Sequence, residues 1–291
     1  MSQLESTISG VANFEPHYVK RPGKLAWVLI AVVGLYAALL LGGPLVAIVG
    51  GAFASGVGAL WRELTSAAAI NALKLTVLLA VAATVINILF GICIAWVLAR
   101  DKFKGQAIIN GIVDLPFAVS PVIAGFMLIL LFGRNGWFAP MVEAANLKIV
   151  FALPGMLLAT VFVSLPFVVR EVVPVLMHLG VEQENAAYTL GASYWQTFWH
   201  ITLPNIQWGL LYGVILTFAR ALGEFGAVLV VSGSVSRLTE TATLFIFRSL
   251  DDRNEVGANA MALVLALISF SVLLAMEYYK KHTQEAQVKG G

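Results

Sequence analysis

Arg220 and Glu224 stand four residues apart in a long apolar stretch, the spacing at which a helix brings two side chains together as an ion pair. Charge is expensive inside a membrane, so such a pair either fixes helix packing or lines a water-filled path; the sequence leaves both readings open. Asp114 lies in another apolar run, close to Pro116, Ser120 and Pro121. Proline within a membrane helix frees carbonyl groups that then need protein or water beside them. Arg170 and Glu171 close a further apolar run and read as an interface-level anchor. None of this is covalent chemistry. No G-x-x-x-x-G-K-[ST] run is present, so the chain is not expected to hydrolyse ATP. His17, His178, His200 and His282 are scattered, and the single Cys93 excludes an internal disulfide or a multi-cysteine metal site. The expectation is a chain that is not an enzyme and carries neither a metal nor a cofactor of its own.

The second chemical signal is a patterned polar interruption. Glu184, Asn185, Ala186 and Ala187 are followed after three residues by Gly191, and after nine more by Ile201-Thr202-Leu203-Pro204. This spacing predicts a short helix over Asn185–Leu190, a glycine turn that tolerates positive φ, and a second helix. Trp195, Phe198 and Trp199 recur at i, i+3, i+4, on one face of that second helix. Pro204 suits the first turn of the apolar segment that follows. A short helix with aromatics on one face is suited to entering a groove, although an interfacial helix at headgroup level has the same composition.

These residues must be positioned by membrane helices. The chain has 291 residues, 59% of them hydrophobic and 12% charged, half the roughly 25% charged fraction of soluble domains. Net charge +2 gives no reason to expect nucleic acid as a partner. About 20 apolar residues cross a bilayer core. Six segments qualify, at roughly 25–49, 71–99, 106–132, 148–169, 206–232 and 257–279. The fold class is therefore all-α and integral to a membrane, with an N-terminal segment 1–24, a six-span domain 25–279 holding the patterned loop at about 182–204, and a tail 280–291. Lys and Arg favour one side, carrying Lys20, Arg21, Lys24, Arg100, Lys102, Lys104, Arg170, Lys280, Lys281 and Lys289. That bias places both termini and the patterned loop in the cytoplasm. Proline and glycine mark spans three to five as a packed core, leaving spans one and six nearer to lipid.

The Ala-Ala, Gly, Ile-x-Leu-Pro register resembles the EAA loop of bacterial ABC-transporter permeases, with Asn185 at the strict first position and Glu184 one residue earlier. Asp114 through Gly125 (DLPFAVSPVIAG), Pro166 through Glu171 (PFVVRE) and Leu203 through Trp208 (LPNIQW) are similar to sulfate permeases, and Arg220 through Val228 (RALGEFGAV) to sulfate and molybdate permeases. Across most of 70–280 the chain resembles the W-type (CysW-like) permease subunits of sulfate/thiosulfate importers, within the binding-protein-dependent transport inner-membrane component family. The resemblance implies a type I importer permease fold in a bacterial inner membrane. It implies a second permease subunit of T or U type, two ATPase subunits that bind ATP and Mg, and a periplasmic sulfate/thiosulfate-binding protein. It casts Glu184, Asn185, Ala186, Ala187, Gly191, Ile201, Leu203 and Pro204 as the ATPase-coupling loop. Asp114, Pro116, Ser120, Pro121, Arg220 and Glu224 become the candidate translocation path. A charged, exposed Asp114 would repel sulfate, so it is expected to pair or to end a helix, while Ser120 offers its hydroxyl either to an oxyanion or to its own helix. The alternatives are a permease for molybdate or tungstate and, further off, an ATP-independent anion transporter.

Overall fold

The structure, a computed structural model, describes residues 23–289, with side chains at Met276 and from Tyr279 onward left aside. Lys20, Arg21 and most of segment 1–24 lie outside the described residues, as do the side chains of the tail 280–291. Every regular element among the described residues is helical. The chain separates into two compact units, 1–47 and 48–291. The first contributes most of α1, Lys24–Phe53, an apolar helix with a π turn at Ala38–Gly42 and no buried residue before Ala52.

Besides the short helices α2, Val57–Leu64, and α6, Ala139–Ala144, the second unit is built on α3, Ala67–Arg100, and α7, Leu153–Leu179. Ser66 caps α3 by accepting the Ala69 N–H at 3.2 Å. The buried face of α3 is mostly small: Ala69, Ala72, Ala80, Ala83, Gly91 and Ala95. In lipid, small residues drive packing by letting backbones approach closely. A Cβ at Gly91 would stand 2.7 Å from Val168 Cγ1 on α7, so hydrogen is the only side chain this crossing accepts. Asn87 adds polar glue, donating from Nδ2 to the Val161 carbonyl at 3.2 Å and to Ser164 Oγ at 2.9 Å. Gly91→Leu is expected to destabilise the protein by about 1–3 kcal/mol through overpacking. A fall in the thermal unfolding midpoint of the purified protein checks this, and an unchanged midpoint would contradict the packing described.

Four expectations about the spans need correction. Span three is two helices, α4 (Gln106–Ala118) and α5 (Pro121–Phe132), bent by 115°. Pro121 pushes Ser120 out of the helical region, and Val119 and Ser120 are both extended, with ψ 132 and 136. Span four runs on to Leu179, past both Arg170 and Pro174, so Arg170 and Glu171 are interior to α7 rather than an end anchor. Span five stops at Leu222, and after Gly223–Phe225 a separate short helix, α10 (Gly226–Ser232), begins. Finally, burial does not concentrate in spans three to five: α7 is 56% buried over its most apolar window and α3 33%, against 22% for α9, Tyr194–Leu222. Small side chains spaced along α3 made the difference. The spans with the lowest buried share are α1, at 0%, and Glu255–Ala275 of α12 (Glu255–Lys289), at 17%.

Candidate functional site: the patterned loop and the polar breaks

The loop is a short helix, a left-handed turn and a second helix. Helix α8 covers Glu182–Thr189, three residues earlier in starting than the sequence suggests, with Glu182 and Glu184 in its first turn where the helix dipole favours acid. It closes with Gly191 N–H to the Tyr188 carbonyl and Ala192 N–H to the Ala187 carbonyl, both at 3.0 Å. Gly191 has φ +87, and a Cβ there would meet nothing within 4 Å. The turn therefore selects glycine by backbone conformation alone, not by crowding. Ser193 then opens α9 with a capping box: its Oγ accepts the Gln196 N–H at 3.3 Å while Gln196 Oε1 accepts the Ser193 N–H at 2.9 Å.

Pro204 does not start a fresh helix. Tyr194–Leu222 is one helical path with a π turn at Phe198–Thr202, where the Leu203 N–H reaches back to the Phe198 carbonyl. The widened turn immediately before Pro204 absorbs the misfit that a proline introduces into a helix. Trp195, Phe198 and Trp199 form one cluster, with ring centroids 5.5 to 6.0 Å apart, and Trp96 of α3 meets Phe198 edge-on at 5.9 Å. Trp96, Trp195 and Phe198, with Tyr188, Tyr194 and Cys93, border a cavity of about 440 Å³. Leu190 is 88% exposed and Tyr194 83%, so an apolar and aromatic surface is presented outward. The two motif alanines divide the work of the helix: Ala186 faces out and Ala187 packs inward. Asn185 and Pro204 are exposed, and Ile201 and Leu203 half-buried.

Glu184 behaves differently from its neighbours. It is buried, and its Oε1 accepts from Arg100 Nη2 at 2.9 Å and from Thr202 Oγ1 at 3.0 Å. Arg100 also donates from Nη1 to the Leu176 carbonyl at 2.8 Å and lies 5.9 Å over the Trp96 ring. The loop, the last turn of α3 and the end of α7 thus meet at one guanidinium.

The polar residues deeper in the helices fall into two groups. Asp114 pairs with Arg170 in a fork, Nε to Oδ1 at 2.8 Å and Nη2 to Oδ2 at 2.6 Å, with the Asn110 carbonyl and side chain both at 3.4 Å from the same arginine. Both partners are half-exposed, whereas Pro116 nearby is buried. The second group forms where the two broken spans meet. A Cβ on Gly125 would lie 2.6 Å from the Ala227 carbonyl, and one on Gly226 would lie 3.1 Å from Pro121 Cβ, so the α4–α5 bend seats against the start of α10. Arg220 Nη1 and Glu224 Oε2 are 2.8 Å apart, but Glu224 sits beyond the end of α9 rather than within it. There its Oε1 accepts the Ala227 N–H at 2.9 Å, and its carbonyl accepts from Thr243 Oγ1 at 2.7 Å. The carboxylate is buried and closes the gap between two helices, while a third of Arg220 stays open. Ser120 lies at the bend and makes no cap bond. The structure therefore brings Pro121 against the start of α10, two residues beyond Glu224 and its partner Arg220, and separately pairs Asp114 with Arg170.

Beyond α10, Glu240 is buried 3.0 Å from Arg248 Nε of α11 (Ala242–Asp251), and burial pushes its carboxyl up while Arg248 pulls it back. Sequence reasoning found neither this pair nor Arg100, Asn110 or Thr243. Arg100 registered only as one charge in the lysine and arginine bias. Among the described residues no cluster of three His, Cys, Asp or Glu is placed to hold a metal ion.

The breaks between α4 and α5 and between α9 and α10 meet at a polar seam, and an exposed helix–turn–helix lies between α7 and the body of α9. A family model described as "Binding-protein-dependent transport system inner membrane component" matches residues 87–284, and the chain belongs to that family. It is 47% identical to the sulfate transport system permease protein CysW of Synechocystis sp., over 89% of this chain and 94% of that one. It is 42% identical to the protein of the same name from Escherichia coli, over 90% and 91%. The fold is also that of a bacterial alginate ABC transporter solved with a pentasaccharide-bound periplasmic protein, with TM-score 0.75 and 17% identity over 89% of this chain and 94% of that one. The chain is a multi-pass membrane protein and a transport subunit, not an enzyme.

Proposed function

We propose that this chain is one of two permease subunits in an ATP-driven importer for sulfate and thiosulfate. The observation that carries the substrate is the likeness, over nine-tenths of the chain, to permeases named for sulfate transport. The other partners are a T- or U-type permease, two ATPases that hold ATP and Mg, and a periplasmic binding protein that delivers the anion. The loop from Glu182 to Pro204 faces the cytoplasm and enters a groove on one ATPase with its exposed face of Leu190, Tyr194 and Trp195. ATP binding closes the ATPases, the loop moves with them, and the helices open toward the periplasm; hydrolysis returns the inward-facing state.

The path runs along Asp114, Pro116, Ser120, Pro121, Arg220 and Glu224. A dianion crossing low dielectric needs cations whose charge is already offset, and two offset pairs line this route: Arg170 with Asp114 and Arg220 with Glu224. The test is radiolabelled sulfate uptake by cells lacking this chain and complemented with it. Restored uptake, competed by thiosulfate, supports the reading. No sulfate defect in the deletion would overturn it in favour of a related oxyanion such as molybdate, whose permeases the run from Arg220 to Val228 also resembles.

A further inference from the structure

The cytoplasmic loop has two surfaces, and only one of them is free to meet a partner. Asn185, Ala186 and Leu190 are exposed, whereas Glu184 is turned inward, with its side chain 8% exposed and that of Arg100 10% exposed. Its contacts span long stretches of sequence: 84 residues to Arg100 and 18 to Thr202. Through Arg100 they continue to the Leu176 carbonyl, 76 residues away. Loop, α3 and α7 are therefore fastened at a single guanidinium, and the π turn of α9 at the carboxylate it holds.

We infer that the Arg100–Glu184 pair is the strut that carries motion from the loop into α3, and that Glu184 is a positioning residue rather than an ATPase contact. The inference rests on the proposed coupling role of the loop and adds the load path. A lever needs a stiff connection near its point of application. α8 is only eight residues long and ends in a glycine turn, so pushing on Leu190 or Tyr194 would otherwise swivel the loop about its own hinges. A buried charge-assisted bond is short, directional and shielded from competing water, which makes it stiffer than the aromatic contacts beside it. Arg is the residue for this node because one planar fork serves two acceptors on different elements; Lys has the charge without the fork. α3 is also the right element to receive the motion. It runs 34 residues, about 51 Å, and packs against α7 along its buried face.

The test uses the assembled transporter in lipid nanodiscs. Cys93, the single cysteine, is exposed on α3 two turns before Arg100, and a nitroxide attached there reports whether α3 moves when ATP binds. The partner subunits are first made cysteine-free. In wild type, ATP is expected to change the label's spectrum. In Glu184→Gln and in Arg100→Lys, the ATPase still binds nucleotide but the spectral change is expected to fall to less than half. Sulfate imported per ATP hydrolysed is expected to fall about tenfold, within the about 5–150-fold range of ordinary coupling energies. A purely structural bond would lower import and hydrolysis together and leave their ratio unchanged. Full nucleotide response with an unchanged ratio in Arg100→Lys overturns the strut, including where Glu184→Gln fails to assemble. A wild-type transporter that responds at Cys93 but imports no sulfate would refute the substrate and leave the strut standing.

Discussion

Gly191→Val is expected to reduce solute uptake at least about tenfold while the subunit still inserts and assembles, a loss within the ordinary range of coupling energies. Crowding and backbone conformation act separately at this position. Nothing lies within 4 Å of a Cβ at this position, so valine crowds no neighbour and the helices on either side have no packing reason to unfold. What valine cannot do is hold φ +87, since a left-handed conformation costs an L-residue about 1–2 kcal/mol and a β-branched one more. The turn would relax toward negative φ and rotate α8 against α9. The outward group of Leu190, Tyr194 and Trp195 would then no longer form one surface. Gly191→Asn is the internal control, because asparagine visits the left-handed region, and it is expected to keep most of the uptake. Uptake is measured against membrane level by blotting. Full activity in the valine variant would remove the loop from the mechanism.

The second large effect is expected at Asp114. Asp114→Leu strips Arg170 of its fork and leaves it only Asn110, at 3.4 Å. An arginine at the centre of a membrane helix costs about 2.5–3.5 kcal/mol on insertion scales. The half-exposure of this pair reduces that penalty, so about 1–2 kcal/mol of stability is the expected loss, with a lower thermal midpoint. Adding Arg170→Met removes the stranded charge, and the double variant is expected to recover the midpoint, since apolar replacement of an ion pair is often neutral or better. Uptake separates the two roles of the pair. If Asp114 and Arg170 line the path, the stable double variant stays at about a tenth of wild-type uptake or less. Recovery of both stability and uptake would show that the pair only holds α4 against α7.

Much of this architecture is legible in one sequence, and the misreadings share a cause. Apolar length gave the spans, and the register from Ala186 to Pro204 gave a helix, a turn and a helix, because both signals are local. Prolines at 116 and 121 marked where span three is interrupted, but local rules set only that Ser120 must be extended, not that the chain turns by 115°. The i, i+4 spacing of Arg220 and Glu224 was right about the pair and wrong about the helix. Gly223 ends α9, and Glu224 pairs from beyond it while capping α10. Arg170 and Glu171 looked like the end of a span because charge usually ends one. Here α7 carries them inside, and Asp114 from another helix supplies Arg170 with its partner. Contacts such as Glu184 with Arg100 leave no mark at short range in a single sequence. The depth of α3 in the core was readable in principle from its alanine and glycine spacing, since small residues in a membrane helix mark close neighbours.

The measurement that tests the central claim most directly is sulfate accumulation in proteoliposomes holding this chain with its second permease and the two ATPases. The binding protein is placed on one face and ATP on the other. Accumulation is expected only when ATP, the binding protein and the ATPases are all present, and only with the loop on the ATP side. Sulfate entry that persists without the ATPases, or that ignores ATP, would contradict the account and make this chain an ATP-independent anion transporter.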